Sequence, residues 1–216
     1  MRLGVFGGSF NPVHNGHLRV ALEVLEKLDL QRVEFVPAPR PPHKPSQGLL
    51  PFEMRCELLR LALTAHPSLE LNLLEAERPG TSYTYHTLLD YHQDYSSQQL
   101  FFVLGSNDLL TLPQWYKWES LPRLTNFAVV GRQGLERQQV TGFVQKHFPR
   151  ARQDSSKESA WELDEGSYLI YVQIPRLDIS SSMLRQKIVQ GLSLSFLVPE
   201  KVEEHLHGTG PGDLWA

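Results

Sequence analysis

A short apolar run from Leu3 to Phe6 meets a glycine pair, Gly7-Gly8, turns through Asn11-Pro12 and opens onto a stretch of helical periodicity. No other feature constrains the fold as much. Strand, glycine turn and helix start in so few residues is the opening of a βαβ unit, and a parallel sheet follows from it. A helix-like pattern follows, with Val20, Leu22, Val24, Leu25 and Leu28 apolar. Two imidazoles, His14 and His17, stand at the junction with Gly16 between them. Glycine lets a backbone approach a phosphate closely. A helix N-terminus offers unpaired N–H groups and a positive dipole end. Imidazole can donate a hydrogen bond near neutral pH, charged or not. The junction therefore reads as a site for nucleotide phosphates.

Strand-like and helical runs then alternate without an internal repeat. Val33–Val36 reads as a second strand. Pro37–Pro51 is too rich in proline for helix or central strand, so it is a long loop of the kind that binds or covers ligands. Phe52–Ala65 reads as a helix and Leu69–Leu74 as a strand. Thr84–Tyr95 reads as a helix capped by Thr81, Ser82 or Thr84. Leu100–Leu104 is a buried strand ending at Gly105, Phe127–Val130 another, and Tyr168–Ile174 the last. Leu135–Phe148 looks like a polar surface helix. Arg150–Gly166 reads as a variable loop with a short edge element near Trp161. Ser180–Gln190 is a helix stopped by Gly191, and Pro199–His207 a final short helix. The expectation is one domain over 1–216, with a helical C-terminal part over 176–207 and a mobile tail over 208–216.

The chain's 216 residues, 41% of them apolar, suffice for one sizeable core. A formal charge of −3 provides no basic field for nucleic acid. The single cysteine, Cys56, excludes an internal disulfide and a cysteine-rich zinc site, and its helical setting makes it a core thiol. No run approaches the roughly 18 apolar residues of a membrane span, and no signal-peptide pattern is seen. A cytoplasmic protein is expected, its oligomeric state open and a homo-oligomer allowed.

Four further segments carry chemistry. Ile179–Arg185, ISSSMLR, sets serines before a helix, where hydroxyls cap and face phosphate, and Arg185 offers a bidentate guanidinium. In PPHK, Pro41 to Lys44, a loop carries His43 and Lys44. Gly105–Trp118 begins where a buried strand ends, the edge at which open α/β sheets bind ligands. Its Trp115 and Tyr116 are flat faces for a ring, or ordinary packing. Ser82-Tyr83-Thr84 stands before a helix.

GGSFNPVHNGH resembles the signature GG-[ST]-F-[DN]-P-x-H-x-G-H of nucleotidyltransferases with a HIGH-type site, through Gly7, Gly8, Ser9, Phe10, Asn11, Pro12, His14, Gly16 and His17. ISSSMLR resembles the I-S-[SA]-[ST]-x-[IL]-R motif of the same superfamily. The order of motifs is similar to that of bacterial nicotinate mononucleotide adenylyltransferases over nearly the whole chain. The resemblance implies a Rossmann-like, doubly wound α/β fold with a mainly parallel sheet. It implies adenylyl transfer from ATP to nicotinate mononucleotide, giving nicotinate adenine dinucleotide and pyrophosphate by direct attack. His14 and His17 would act at the reaction centre. Gly7, Gly8, Ser9, Phe10, His43, Lys44, Arg132, Ser180, Ser182 and Arg185 would bind ATP. Ser82, Tyr83, Thr84, Gly105, Asn107, Asp108, Trp115 and Tyr116 would bind the pyridine nucleotide. The family's usual aspartate falls on Asn107, with Asp108 one place later, so either side chain is a candidate for the ribose. Mg²⁺ would arrive with the ATP phosphates, with no protein metal ligand. Alternatives are a nicotinamide-preferring or dual-specific enzyme, a pantetheine-phosphate transferase, a nucleotide-binding regulator and an RNA-binding module.

Overall fold

The computed structural model describes residues 1–42, 48–131, 135–154, 159–164, 166–175 and 177–208. The chain forms two compact units. One comprises Met1–Gly7, Val20–Glu34 and Tyr83–Arg176, the other Gly8–Arg19, Phe35–Ser82 and Leu177–Ala216.

The strands are β1 (Leu3–Gly8), β2 (Arg32–Pro37), β3 (Leu69–Leu71), β4 (Leu100–Gly105), β5 (Asn126–Gly131), β6 (Arg152–Gln153), β7 (Ala160–Glu162) and β8 (Tyr168–Gln173). They lie in the order β3-β2-β1-β4-β5-β8-β7-β6. In the first unit β1, β4, β5 and β8 run parallel, with Leu3 opposite Leu100, Phe102 opposite Phe127 and Phe127 opposite Leu169. β7 pairs antiparallel with β8, and β6 with β7. LFFVL and NFAVV are buried along their length, which is how strands covered on both faces read. The doubly wound expectation holds, and strand order reverses between β1 and β4, the point at which such sheets take ligands.

The helices of the first unit include most of α1 (Asn15–Lys27), α3 (Thr84–Asp94), α4 (Ser106–Thr111) and α5 (Leu135–His147). α5 is not the polar helix its composition suggests. Val140, Phe143 and Val144, spaced to share one face, are buried. In Arg150–Gly166 the short edge element expected near Trp161 is β7, and β6 pairs with it antiparallel. α4 is too short to show periodicity. Gly131 ends β5 under Tyr171 and Glu136; a Cβ there would lie 2.5 Å from the tyrosine ring.

The second unit holds α2 (Phe52–Leu63), β3, α6 (Ser181–Val189) and α7 (Glu200–Gly208). β3 is shorter than expected, and Leu74–Glu77 forms a 3₁₀ turn. α2 packs on α7, where Val202 and Leu206 are buried. Cys56 faces the core, and burial pushes its thiol upward. The tail over 209–216 lies outside the described residues. No described helix is long and apolar enough to cross a membrane.

Candidate active site

The second unit carries the glycine turn and the histidines. Gly8 is covered by the Phe10 ring, 3.1 Å from where a Cβ would stand. Phe10 itself takes a left-handed backbone, φ 44, and buries its ring edge-on to His17 at 5.1 Å and against Phe35 at 5.3 Å. Asn11 is buried and bonded at both ends of its amide. Its Oδ1 accepts the Leu50 N–H at 2.8 Å, and its Nδ2 donates to the Gly48 carbonyl at 2.8 Å. The Asn11-Pro12 peptide is cis.

His14 precedes α1, and its carbonyl accepts the N–H groups of His17 and Leu18. The His17 imidazole reaches back, and its Nδ1 accepts the His14 N–H at 3.2 Å. This is the return half of a capping box, with imidazole in the role usually taken by Glu or Gln three residues on. An accepting Nδ1 leaves the ring proton of a neutral imidazole on Nε2. The two rings stack at 3.7 Å. His14 is 6% exposed, and burial lowers its pKa to about 4, so it is neutral at pH 7. Its Nδ1 has no hydrogen-bond partner among the described residues.

Asn15 fixes the entry of α1. Its N–H donates to the Leu197 carbonyl at 2.9 Å and its Nδ2 to the Phe196 carbonyl at 2.8 Å. α6 is tied to the same turn. Ser180 caps it, with Oγ accepting the Met183 N–H at 3.2 Å. Ser181 Oγ donates to the Pro12 carbonyl at 2.9 Å. Arg185 donates through Nη1 to the Asn11 carbonyl at 2.9 Å and through Nη2 to Ser182 Oγ at 3.1 Å. The structure thus brings ISSSMLR onto the histidine motif. Arg55, which the sequence reading passed over as a helix residue, is 1% exposed here. Burial lowers its pKa, yet a guanidinium stays charged. Ser82 does not cap α3; its Oγ accepts the Arg40 N–H at 3.2 Å, and its own N–H meets the Arg40 carbonyl at 3.0 Å. Thr81 and Thr84 do not cap it either, because Tyr83 occupies that position without a side-chain bond.

In the first unit Gly7 has ordinary room beside the Phe102 ring. β4 runs straight into α4, with Gly105 as its cap residue. Asn107 is exposed on the first turn. Asp108 folds back, its Oδ2 lying 3.2 Å from where a Gly105 Cβ would be. The carboxylate thus stands over the strand end, and the amide does not. Trp115 donates its indole N–H to Thr111 Oγ1 at 3.3 Å and meets Phe102 edge-on. Tyr116 packs on Tyr83 at 4.7 Å between centroids, with Tyr85 and His86 nearby. Tyr116 of the Trp-Tyr pair therefore joins Tyr83 in one aromatic cluster, while Trp115 packs separately on Phe102. Lys117 Nζ lies 4.6 Å over the Tyr85 ring and 5.3 Å over that of Tyr116. His43, Lys44 and Arg132 lie outside the described residues. Among the described residues no three His, Cys, Asp or Glu side chains are placed to hold a metal.

A doubly wound sheet, a glycine turn and paired imidazoles at a helix start define a nucleotide-binding α/β enzyme. Comparison with known proteins narrows this class. The cytidylyltransferase-like family profile matches residues 5–187. A probable nicotinate-nucleotide adenylyltransferase of Geotalea daltonii is 40% identical over 210 residues, covering 95% of each chain. The nicotinate-nucleotide adenylyltransferase of Bacillus subtilis is 34% identical over 209 residues, covering 97% of each. Among solved structures, Plasmodium falciparum nicotinic acid mononucleotide adenylyltransferase complexed with NaAD superposes with a TM-score of 0.68 at 18% identity, covering 96% of this chain and 95% of that one. A putative nicotinate-nucleotide adenylyltransferase from Vibrio parahaemolyticus gives a TM-score of 0.63 at 18% identity, covering 96% of this chain and 99% of that one. These two support the fold. The chain belongs to the cytidylyltransferase-like family, and within it to the nicotinate-nucleotide adenylyltransferases.

Proposed function

We propose that this chain transfers the adenylyl group of ATP to nicotinate mononucleotide, yielding nicotinate adenine dinucleotide and pyrophosphate in NAD biosynthesis. The observation that carries the reading is the stacked His14–His17 pair at the start of α1, with the Nδ1 of His17 accepting the His14 N–H. The mononucleotide's phosphate is anionic at pH 7 and needs no base. One of its oxygens forms a bond to the α-phosphorus of ATP, and the bond from that phosphorus to the β-bridging oxygen breaks. The protein's task is in-line positioning and charge stabilisation. His17 Nε2–H donates to the phosphate oxygens, and the Gly8–Phe10 backbone cradles them. Arg185 and Ser182 hold the turn and face the β/γ phosphates together with His43 and Lys44; Arg132 and Ser180 assist at the ATP. Mg²⁺ enters as part of the ATP substrate, on whose oxygens it is carried.

The pyridine nucleotide falls to the first unit's residues. Asp108 accepts from a ribose hydroxyl, because its carboxylate and not the Asn107 amide lies over Gly105. Trp115 and Tyr116 provide the stacking faces, with Tyr83 and Thr84 beside them. The test is pyrophosphate release from Mg·ATP with nicotinate mononucleotide, nicotinamide mononucleotide or pantetheine phosphate. A kcat/KM at least tenfold higher for the nicotinate compound, about 1.4 kcal/mol in transition-state binding, supports the reading. Equal use of both pyridine nucleotides makes the enzyme dual-specific, and no turnover with any overturns it.

A further inference from the structure

Arg55 closes the first turn of α2 and is 1% exposed, a charged side chain where the rest of the helix buries apolar ones. Each of its nitrogens serves a different segment. Nε donates to the Leu50 carbonyl at 3.1 Å, Nη1 to that of Ser9 at 2.7 Å and Nη2 to that of Ala38 at 3.0 Å. The guanidinium also lies 5.3 Å from the centroid of the Phe52 ring. An apolar side chain would fill the volume but leave three buried carbonyls without these donors. Lysine would keep the charge but offers one nitrogen at one point, not a planar fork.

The three acceptors are not scattered with respect to the site. Ser9 lies in the glycine turn, directly before left-handed Phe10. In a planar trans peptide the Ser9 carbonyl and the Phe10 N–H point opposite ways. Holding the carbonyl on Arg55 therefore fixes that peptide plane and turns the Phe10 N–H away from the guanidinium. Phe10 in turn packs edge-on to His17. Ala38 and Leu50 lie near the two ends of the proline-rich segment, and Asn11 adds bonds to Gly48 and Leu50 at one of them. The buried charge also leaves a fixed positive potential beneath the turn, in a medium that screens it poorly.

We propose that Arg55 is a positioning residue for adenylyl transfer, setting the peptide plane of the phosphate turn through the Ser9 carbonyl and tying both ends of the proline-rich segment to that turn. The inference rests on the function proposed above. Arg55 touches no substrate; it acts through Ser9, Ala38 and Leu50.

The test uses Arg55→Lys and Arg55→Ala, each followed by calorimetric titration with Mg·ATP alone, by kinetics with both substrates and by thermal melts. Both variants are expected to weaken ATP about tenfold or more, while the KM for nicotinate mononucleotide stays within twofold. Ethylguanidinium added to Arg55→Ala is expected to recover part of the ATP affinity. Wild-type ATP affinity in a folded variant overturns the proposal, as does a parallel rise of both KM values that follows the loss of Tm. If neither variant folds, the wild-type protein decides: the Arg55 Nε–H resonance should move on saturation with Mg·ATP and not with nicotinate mononucleotide. A resonance unmoved by ATP overturns the proposal. A wild-type protein that does not bind ATP overturns the functional reading itself, whatever the variants do.

Discussion

The His17 imidazole accepts the backbone N–H of His14 through Nδ1 at 3.2 Å, and this bond decides which ring nitrogen can donate to a substrate. One side chain both braces the start of α1 and carries a second ring nitrogen for the chemistry proposed above, and the two roles can be separated. His17→Ala loses both. His17→Asn keeps an oxygen that can accept the His14 N–H but has no donor at the Nε2 position. Expected are a fall in kcat of roughly 10²-fold or more in both variants, the scale for a lost preorganised donor, and a Tm recovered by Asn relative to Ala. Wild-type turnover in either variant removes His17 from the chemistry.

His14 makes stability depend on pH. Its pKa falls from an ordinary 6.5 to about 4 because the ring is buried. The unfolded chain therefore binds the proton more readily than the folded one between those values. Stability from the neutral ring is complete above pH 6.5 and is lost as pH drops toward 4. The difference in pKa corresponds to about 3 kcal/mol at most. Urea unfolding of wild type and His14→Asn at pH 7 and pH 4.5 should show the wild type losing about 2–3 kcal/mol more than the variant. Equal losses in the two proteins would show that His14 does not titrate in this way.

Gly16 is required by the same ring. A Cβ on it would stand 2.9 Å from His14 Nδ1, and the ring, stacked on His17, has little freedom to retreat. Gly16→Ala is expected to cost about 1–3 kcal/mol, as overpacking does, and to depress kcat with the histidines intact. Unchanged melting and turnover would mean that the ring moves aside freely.

The strands and the histidine motif were legible because both are local: apolar runs such as LFFVL announce burial, and the motif's spacing fixes its own turn. What escaped depends on groups brought together from afar. Arg55 reads as one polar residue on a helix, because Ser9 and Ala38, which accept from it, are distant in sequence. The choice between Asn107 and Asp108 turns on how α4 begins after Gly105, and a helix of six residues shows no periodicity. α5 misleads by composition, since Val140, Phe143 and Val144 are enough to bury one face of an otherwise polar helix.

Arg185 bonds to the protein with both arms of its fork, to the Asn11 carbonyl and to Ser182 Oγ. The residue read from sequence as a phosphate ligand is thus also a brace for the turn. Arg185→Lys keeps the charge and loses the two-point contact. The ATP KM should rise several-fold and kcat should fall with it, since the turn is no longer held in place. A higher ATP KM with kcat unchanged would assign Arg185 to binding alone; unchanged ATP kinetics would remove it from the site.

The aromatic cluster allows stacking and packing to be told apart. Tyr116 is 43% exposed, while Trp115 is half-buried, edge-on to Phe102 and bonded to Thr111. Tyr116→Ala loses the ring contact with Tyr83 and should cost about 0.5–1.5 kcal/mol, the scale of one aromatic pair. Trp115→Ala removes packing and should lower Tm visibly. If both rings stack on the pyridine, both variants raise the KM for nicotinate mononucleotide and leave that for ATP within twofold. Tyr116→Phe, which keeps the face and loses only the hydroxyl, should behave as wild type. A Tyr116→Ala enzyme with unaltered kinetics would leave Trp115 as the platform. Equal weakening of ATP and the mononucleotide in Trp115→Ala would show that its ring serves packing and does not hold the substrate.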